Sequence, residues 1–69
     1  MPYNEAMQIK KTKELIKLVE SFGYSLARQA GSHMIFTCPN RKNAVIPNNR
    51  EIARGTLRQI LNCVYDGVK

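Results

Sequence analysis

Apolar residues recur along this chain with two different periods, and the switches between them outline its elements. From Thr12 onward, Leu15, Leu18, Val19 and Phe22 fall at the i, i+3, i+4, i+7 spacing of one helical face. Lys13, Glu14, Lys17 and Glu20 take the other side, Thr12 stands where a cap is wanted, and Gly23 supplies a left-handed end. After Gly23 the period drops to two. Residues 24–29 read as a strand with Tyr24, Leu26 and Arg28 on one face. Ala30-Gly31-Ser32 reads as a turn and 33–38 as a second strand. A polar loop over 39–43 leads to a short third strand, 44–46, closed by Pro47. Three runs at hairpin spacing predict an antiparallel meander.

Pro47-Asn48-Asn49-Arg50 breaks the sheet, and 51–54 reads as a short turn carrying Ile52. A second helix starts at Gly55-Thr56. Leu57, Ile60, Leu61 and Val64 mark its apolar face, Arg58, Gln59 and Asn62 point outward, and Gly67 ends or follows it. The first ten residues show no clean period and read as a frayed lead-in, so the domain runs over 11–66 with a tail at 67–69. The fold class is α+β in the order α-β-β-β-α. Both helices need a surface for their apolar stripes, and one face of a three-stranded antiparallel sheet provides it. The other face is expected to stay open to solvent.

Sixty-nine residues allow one domain, and such a chain buries only about 60% of its unfolded surface. Composition changes this picture by its charge: eleven Lys and Arg against five Asp and Glu, a formal net charge of +6. That excess points to a polyanionic partner, a nucleic acid or an acidic protein surface. No apolar run approaches the ~18 residues that would span a bilayer, and Met1-Pro2-Tyr3-Asn4-Glu5 lacks the apolar core of a secretory signal, so no membrane role and a cytoplasmic location are expected. Cys38 and Cys63, with one histidine in the chain, do not form a zinc-finger spacing and read as free buried thiols. The carboxylates Glu5, Glu14, Glu20, Glu51 and Asp66 are scattered, so neither a metal nor any other cofactor is expected.

The candidate chemistry centres on the second strand. Alternation puts Met34, Phe36 and Cys38 on the helix-facing side and His33, Ile35 and Thr37 on the open side. His33 directly follows a Gly-Ser turn, where backbone can approach a ligand closely. Histidine is the side chain whose unperturbed titration lets it both take and give a proton near neutrality. In a basic domain that pattern suggests phosphodiester chemistry on RNA. A solvated or structural histidine is the competing reading. Arg28, Arg54 and Arg58 are candidates to hold phosphate, as is Ser32, which also fits a simple turn role. Thr56, beside Gly55, would present a helix start to an anion. The proton donor to a leaving group stays open among Tyr24, Lys or Arg side chains and solvent.

Four stretches together resemble the HicA toxin family (YcfA-like proteins): 12–18, Phe22-Gly23-Tyr24, 28–36 with its Gly31-Ser32-His33-Met34-Ile35-Phe36, and 54–61 with Gly55-Thr56-Leu57-Arg58-Gln59-Ile60-Leu61. The resemblance implies a fold like a double-stranded-RNA-binding domain. It implies cleavage of mRNA, with the histidine of the Gly-Ser-His motif, here His33, as the catalytic residue, and a HicB antitoxin as partner. Family members often carry a second histidine after the third strand, where this chain has Asn48-Asn49. The expected function is therefore a metal-independent mRNA endoribonuclease toxin acting on single strands. The alternative is a non-catalytic RNA-binding module of the same fold.

Overall fold

The computed structural model describes residues 1–66. Its elements are α1 (Tyr3–Ala6), α2 (Thr12–Ser21), β1 (Ser25–Ala30), β2 (His33–Thr37), β3 (Ala44–Pro47) and α3 (Arg54–Tyr65). The strands form one antiparallel sheet in the order β1-β2-β3, so the α-β-β-β-α arrangement and the α+β class hold. The helices' apolar stripes supply most of the core. Leu15, Leu18 and Val19 of α2 and Leu57, Ile60, Leu61 and Val64 of α3 are buried with Met34 and Phe36 of β2 and Ala44 and Ile46 of β3.

α2 ends as its glycine dictates. Gly23 adopts φ 98°, its N–H donates to the Glu20 carbonyl, and the Tyr24 N–H reaches back to the Val19 carbonyl. Those two bonds are a Schellman closure. The start of α2 departs from expectation. Lys11, not Thr12, is the extended residue at the cap, held there by a β-bridge to Glu51. Thr12 falls inside the first turn, where its N–H donates to the Arg50 carbonyl and its hydroxyl is buried without a partner.

Three further differences have physical causes. The first ten residues are not a frayed lead-in: α1 sets Ala6 (0% exposed) and Ile9 (7%) into the core. The Tyr3 hydroxyl donates to Asn62 Oδ1 at 2.8 Å, tying α1 to α3. β1 is not half-buried, for all six of its residues are exposed, Leu26 among them at 51%. The helices lie against β3, and β1 overhangs as an edge. Finally, Leu26 and Arg28 do not share a face. The register jumps from Leu26↔Phe36 to Arg28↔Ile35, leaving Ala27 as a bulge and turning Arg28 to the open side. The expected tail at 67–69, with Gly67, lies outside the described residues.

Loop chemistry is regular. Gly31, φ 61°, takes the first central position of the two-residue β1–β2 turn, where a type II′ turn demands glycine. Pro39 and Asn40 (φ 63°) sit in a turn closed by the Arg41 N–H on the Cys38 carbonyl, matching type II preferences. α3 starts one residue earlier than the periodicity suggests, at Arg54, after Ile52 has been buried by its N–H bond to the Lys10 carbonyl.

Candidate functional site

His33 is the first residue of β2 and lies opposite Ala30 of β1 and Pro47 of β3. Its side chain is exposed, on the sheet face away from the helices. Arg28 shares that face: it pairs with Ile35, two residues along from His33, a diagonal neighbour at about 7–8 Å between Cα atoms. The bulge at Ala27 is what creates this pairing, since unbroken alternation would set Arg28 beside Leu26. Ser32, exposed in the turn, accepts the Asn48 N–H on its carbonyl at 2.6 Å. That bond extends the β2–β3 ladder past Pro47 and fixes the Asn48-Asn49-Arg50 segment beside the histidine.

The other expected residues divide. Arg54 and Arg58 are exposed and, at i and i+4, share a face of α3. Thr56 is half-buried in a separate groove of about 200 Å³ with Asn43, Val45 and Gln59. That groove opens at the start of β3, about 10 Å along the strand from Pro47 at 3.3 Å per residue. Thr56 thus lines this groove together with Val45, the partner of Ile35. Tyr24 is further away still. It precedes β1 at the end remote from His33, about 20 Å off at strand rise, and is 3% exposed with its hydroxyl donating to the Lys42 carbonyl at 2.9 Å. It does not reach the histidine as a proton donor.

The far end is closed rather than open. The Arg41 guanidinium stands over the Tyr24 ring at 5.3 Å and the Phe22 ring at 5.9 Å, and donates to the Val64 carbonyl in the last turn of α3. Burial pushes the Tyr24 hydroxyl above its ordinary pKa of 10.0, the Cys63 thiol adds to the rise, and Arg41 opposes it. Cys38 and Cys63 are free and half-buried, and the Cys63 thiol faces the Lys42 and Asn43 carbonyls. Among the described residues no three His, Cys, Asp or Glu side chains converge as metal ligands.

Periodicity missed one group at the histidine end. Lys11, Lys13, Ile16, Asn48 and Arg50 line a recess of about 560 Å³. Its walls come from the start of α2 and the segment after β3, more than thirty positions apart in sequence, so no local pattern reveals it. The Lys10-Lys11 pair and Arg50 were visible only as scattered charge.

An open sheet face with one strand histidine and Arg28 beside it, on a chain of formal net charge +6, defines a small basic α+β domain. Residues 12–63 match the family model described as HicA toxin of bacterial toxin-antitoxin, and the chain belongs to that family. Its role is that of a toxin with a toxin–antitoxin partner. No curated protein and no solved structure matches it. No helix among the described residues is long and apolar enough to cross a membrane.

Proposed function

We propose that this toxin is an endoribonuclease that cleaves single-stranded mRNA without a metal ion, with His33 as its catalytic acid–base residue. The observation that carries this reading is the position of His33. It is exposed at the first residue of the central strand, directly after the Gly31 turn, on a face shared with Arg28.

The chemistry is an in-line transfer. The imidazole takes the proton of a 2′-hydroxyl as that oxygen forms a bond to the adjacent phosphorus. The bond from phosphorus to the 5′-oxygen breaks, and the departing oxygen takes a proton from solvent. Arg28 and the Ser32 hydroxyl are within reach of the phosphoryl oxygens, where donors stabilise the developing charge. Arg54 and Arg58 hold phosphates further along the strand. The products are a 2′,3′-cyclic phosphate and a free 5′-hydroxyl. A HicB-like antitoxin silences the enzyme in the cytoplasm by covering His33 and the cationic end with an acidic or extended segment.

The test is cleavage of a mixed-sequence single-stranded RNA in EDTA by the purified protein, beside His33→Ala. Positioned proton transfer contributes about 10²–10⁴-fold, and the variant should lose that much while keeping its thermal unfolding profile. Product ends should be 2′,3′-cyclic phosphates. Cleavage that vanishes in EDTA for the parent protein would refute the metal-free chemistry. Absence of cleavage with intact, salt-sensitive RNA binding by both proteins would establish the binding-module alternative.

A further inference from the structure

We infer that the recess formed by Lys11, Lys13, Asn48 and Arg50 is a binding site for a phosphate of the RNA backbone, next along the strand from the one held at His33. The inference rests on the ribonuclease reading above and extends it to residues outside the histidine strand.

Three observations carry it. The recess, about 560 Å³, is lined by three cations, an amide and the aliphatic Ile16, with no carboxylate among its lining residues. Among the described residues none of Lys11, Lys13 and Arg50 has an ion-pair partner, although Glu51 bridges to Lys11 through the backbone and Glu14 lies in the same helical turn. Three like charges kept together cost self-repulsion, which a bound anion relieves. The recess is also tied to the catalytic end. Asn48 follows Pro47, the direct partner of His33, so its Cα lies within about 9 Å of that of His33.

The N-terminus of α2 is not the basis of the site. The Thr12 N–H is already bonded to the Arg50 carbonyl and the Glu14 N–H to the Lys11 carbonyl. The side-chain cations are what an anion would meet. The arrangement suits a phosphodiester rather than a base: charge and amide donors are present, whereas the lining offers no aromatic ring on which a base could stack. Contacts of this kind hold the strand in register and carry no sequence preference of their own.

The experiment measures binding of a mixed-sequence single-stranded RNA across a salt series, in the His33→Ala background so that the RNA survives. Lys11→Gln, Lys13→Gln and Arg50→Gln are made singly and together, with Lys17→Gln as an equal change of charge on α2 outside the recess. Each phosphate neutralised adds about 0.7 to the slope of log affinity against log salt for a single strand. The triple variant should therefore flatten the slope by about 0.7, equally for RNAs of different sequence, while Lys17→Gln leaves it nearly unchanged. Lys13→Arg and Arg50→Lys should keep the parent slope, and thermal unfolding of every variant should match the parent.

A triple variant that binds RNA with the parent's slope, while His33 still governs cleavage, overturns the recess and leaves the ribonuclease reading standing. RNA binding unchanged but poly-glutamate binding lost would overturn it in favour of an acidic protein segment. No RNA binding by the parent at all would overturn both.

Discussion

Tyr24 and His33 stand at opposite ends of one sheet, and burial gives them opposite work. His33 is exposed at the mouth of a turn, open to solvent. Tyr24 is 3% exposed, its ring under Arg41 and its hydroxyl spent on the Lys42 carbonyl. A phenol is neutral when protonated, so burial raises its pKa in the fold above the value in the unfolded chain. The stability this contributes is complete below pH 10.0 and is lost as pH rises through the higher folded value. Tyr65 has the same sign, from burial and from Glu5. Urea midpoints should therefore hold up to about pH 10 and fall above it. Tyr24→Phe should cost about 1 kcal/mol at neutral pH, because the Lys42 carbonyl loses its O–H donor, yet decline less steeply in alkali. An unchanged alkaline slope would contradict the assignment. At this scale His33 was legible because its position depends on a local turn and strand. The Thr12 cap was misread because the Lys11 bridge to Glu51, forty residues on, fixes the helix start.

The first strand shows how much one inserted residue decides. Counting by twos assigns Arg28 to the face of Leu26, but the Ala27 bulge carries it to the face of His33. Deleting one residue from a regular strand sends everything beyond it to the other face. Deleting Ala27 should instead leave Leu26↔Phe36 and Arg28↔Ile35 as consecutive pairs, with cleavage kept within several-fold and a cooperative thermal transition. Cleavage reduced to the level of an Arg28→Ala variant would show that the bulge does not absorb the deletion. The two long helices were legible because each buries one stripe of 3.6-residue period over ten or more residues. β1 was only half legible. Its alternation is real, yet the helices lie on β3 and neither of its faces is covered.

Across the whole molecule the chain makes one closed end and one open end. Arg41, Tyr24, Phe22 and Tyr65 seal the first, with Phe22 and Tyr65 rings 4.9 Å apart and Tyr65 edge-on to Tyr3 at 5.5 Å. His33, Ser32, Arg28 and the Lys11–Arg50 recess lie at the second. α1 belongs to the closed body through Ala6, Ile9 and the Tyr3 bond to Asn62. Removing residues 1–9 should therefore destabilise the domain. Burying one Ile side chain is worth about 1.5–3 kcal/mol, which in a domain this size moves Tm by roughly 10–20 °C. A truncated chain that melts with the parent would restore the frayed reading of this segment.

The sequence by itself determined the two amphipathic helices, the three-strand meander, the turns at Gly23 and Gly31, the histidine's face and the excess of positive charge. Each of these follows from side-chain period or from the backbone freedom of a single residue, both local quantities. Only the tertiary structure decided which cations stand near His33, where the bulge falls, that β1 overhangs the core and that the first residues join it. The cationic recess depends on pairings between Lys11 and Glu51, Thr12 and Arg50, and Ser32 and Asn48, and the docking of the first residues on the bond from Tyr3 to Asn62. A distant segment supplies one half of each, and no local period carries that information.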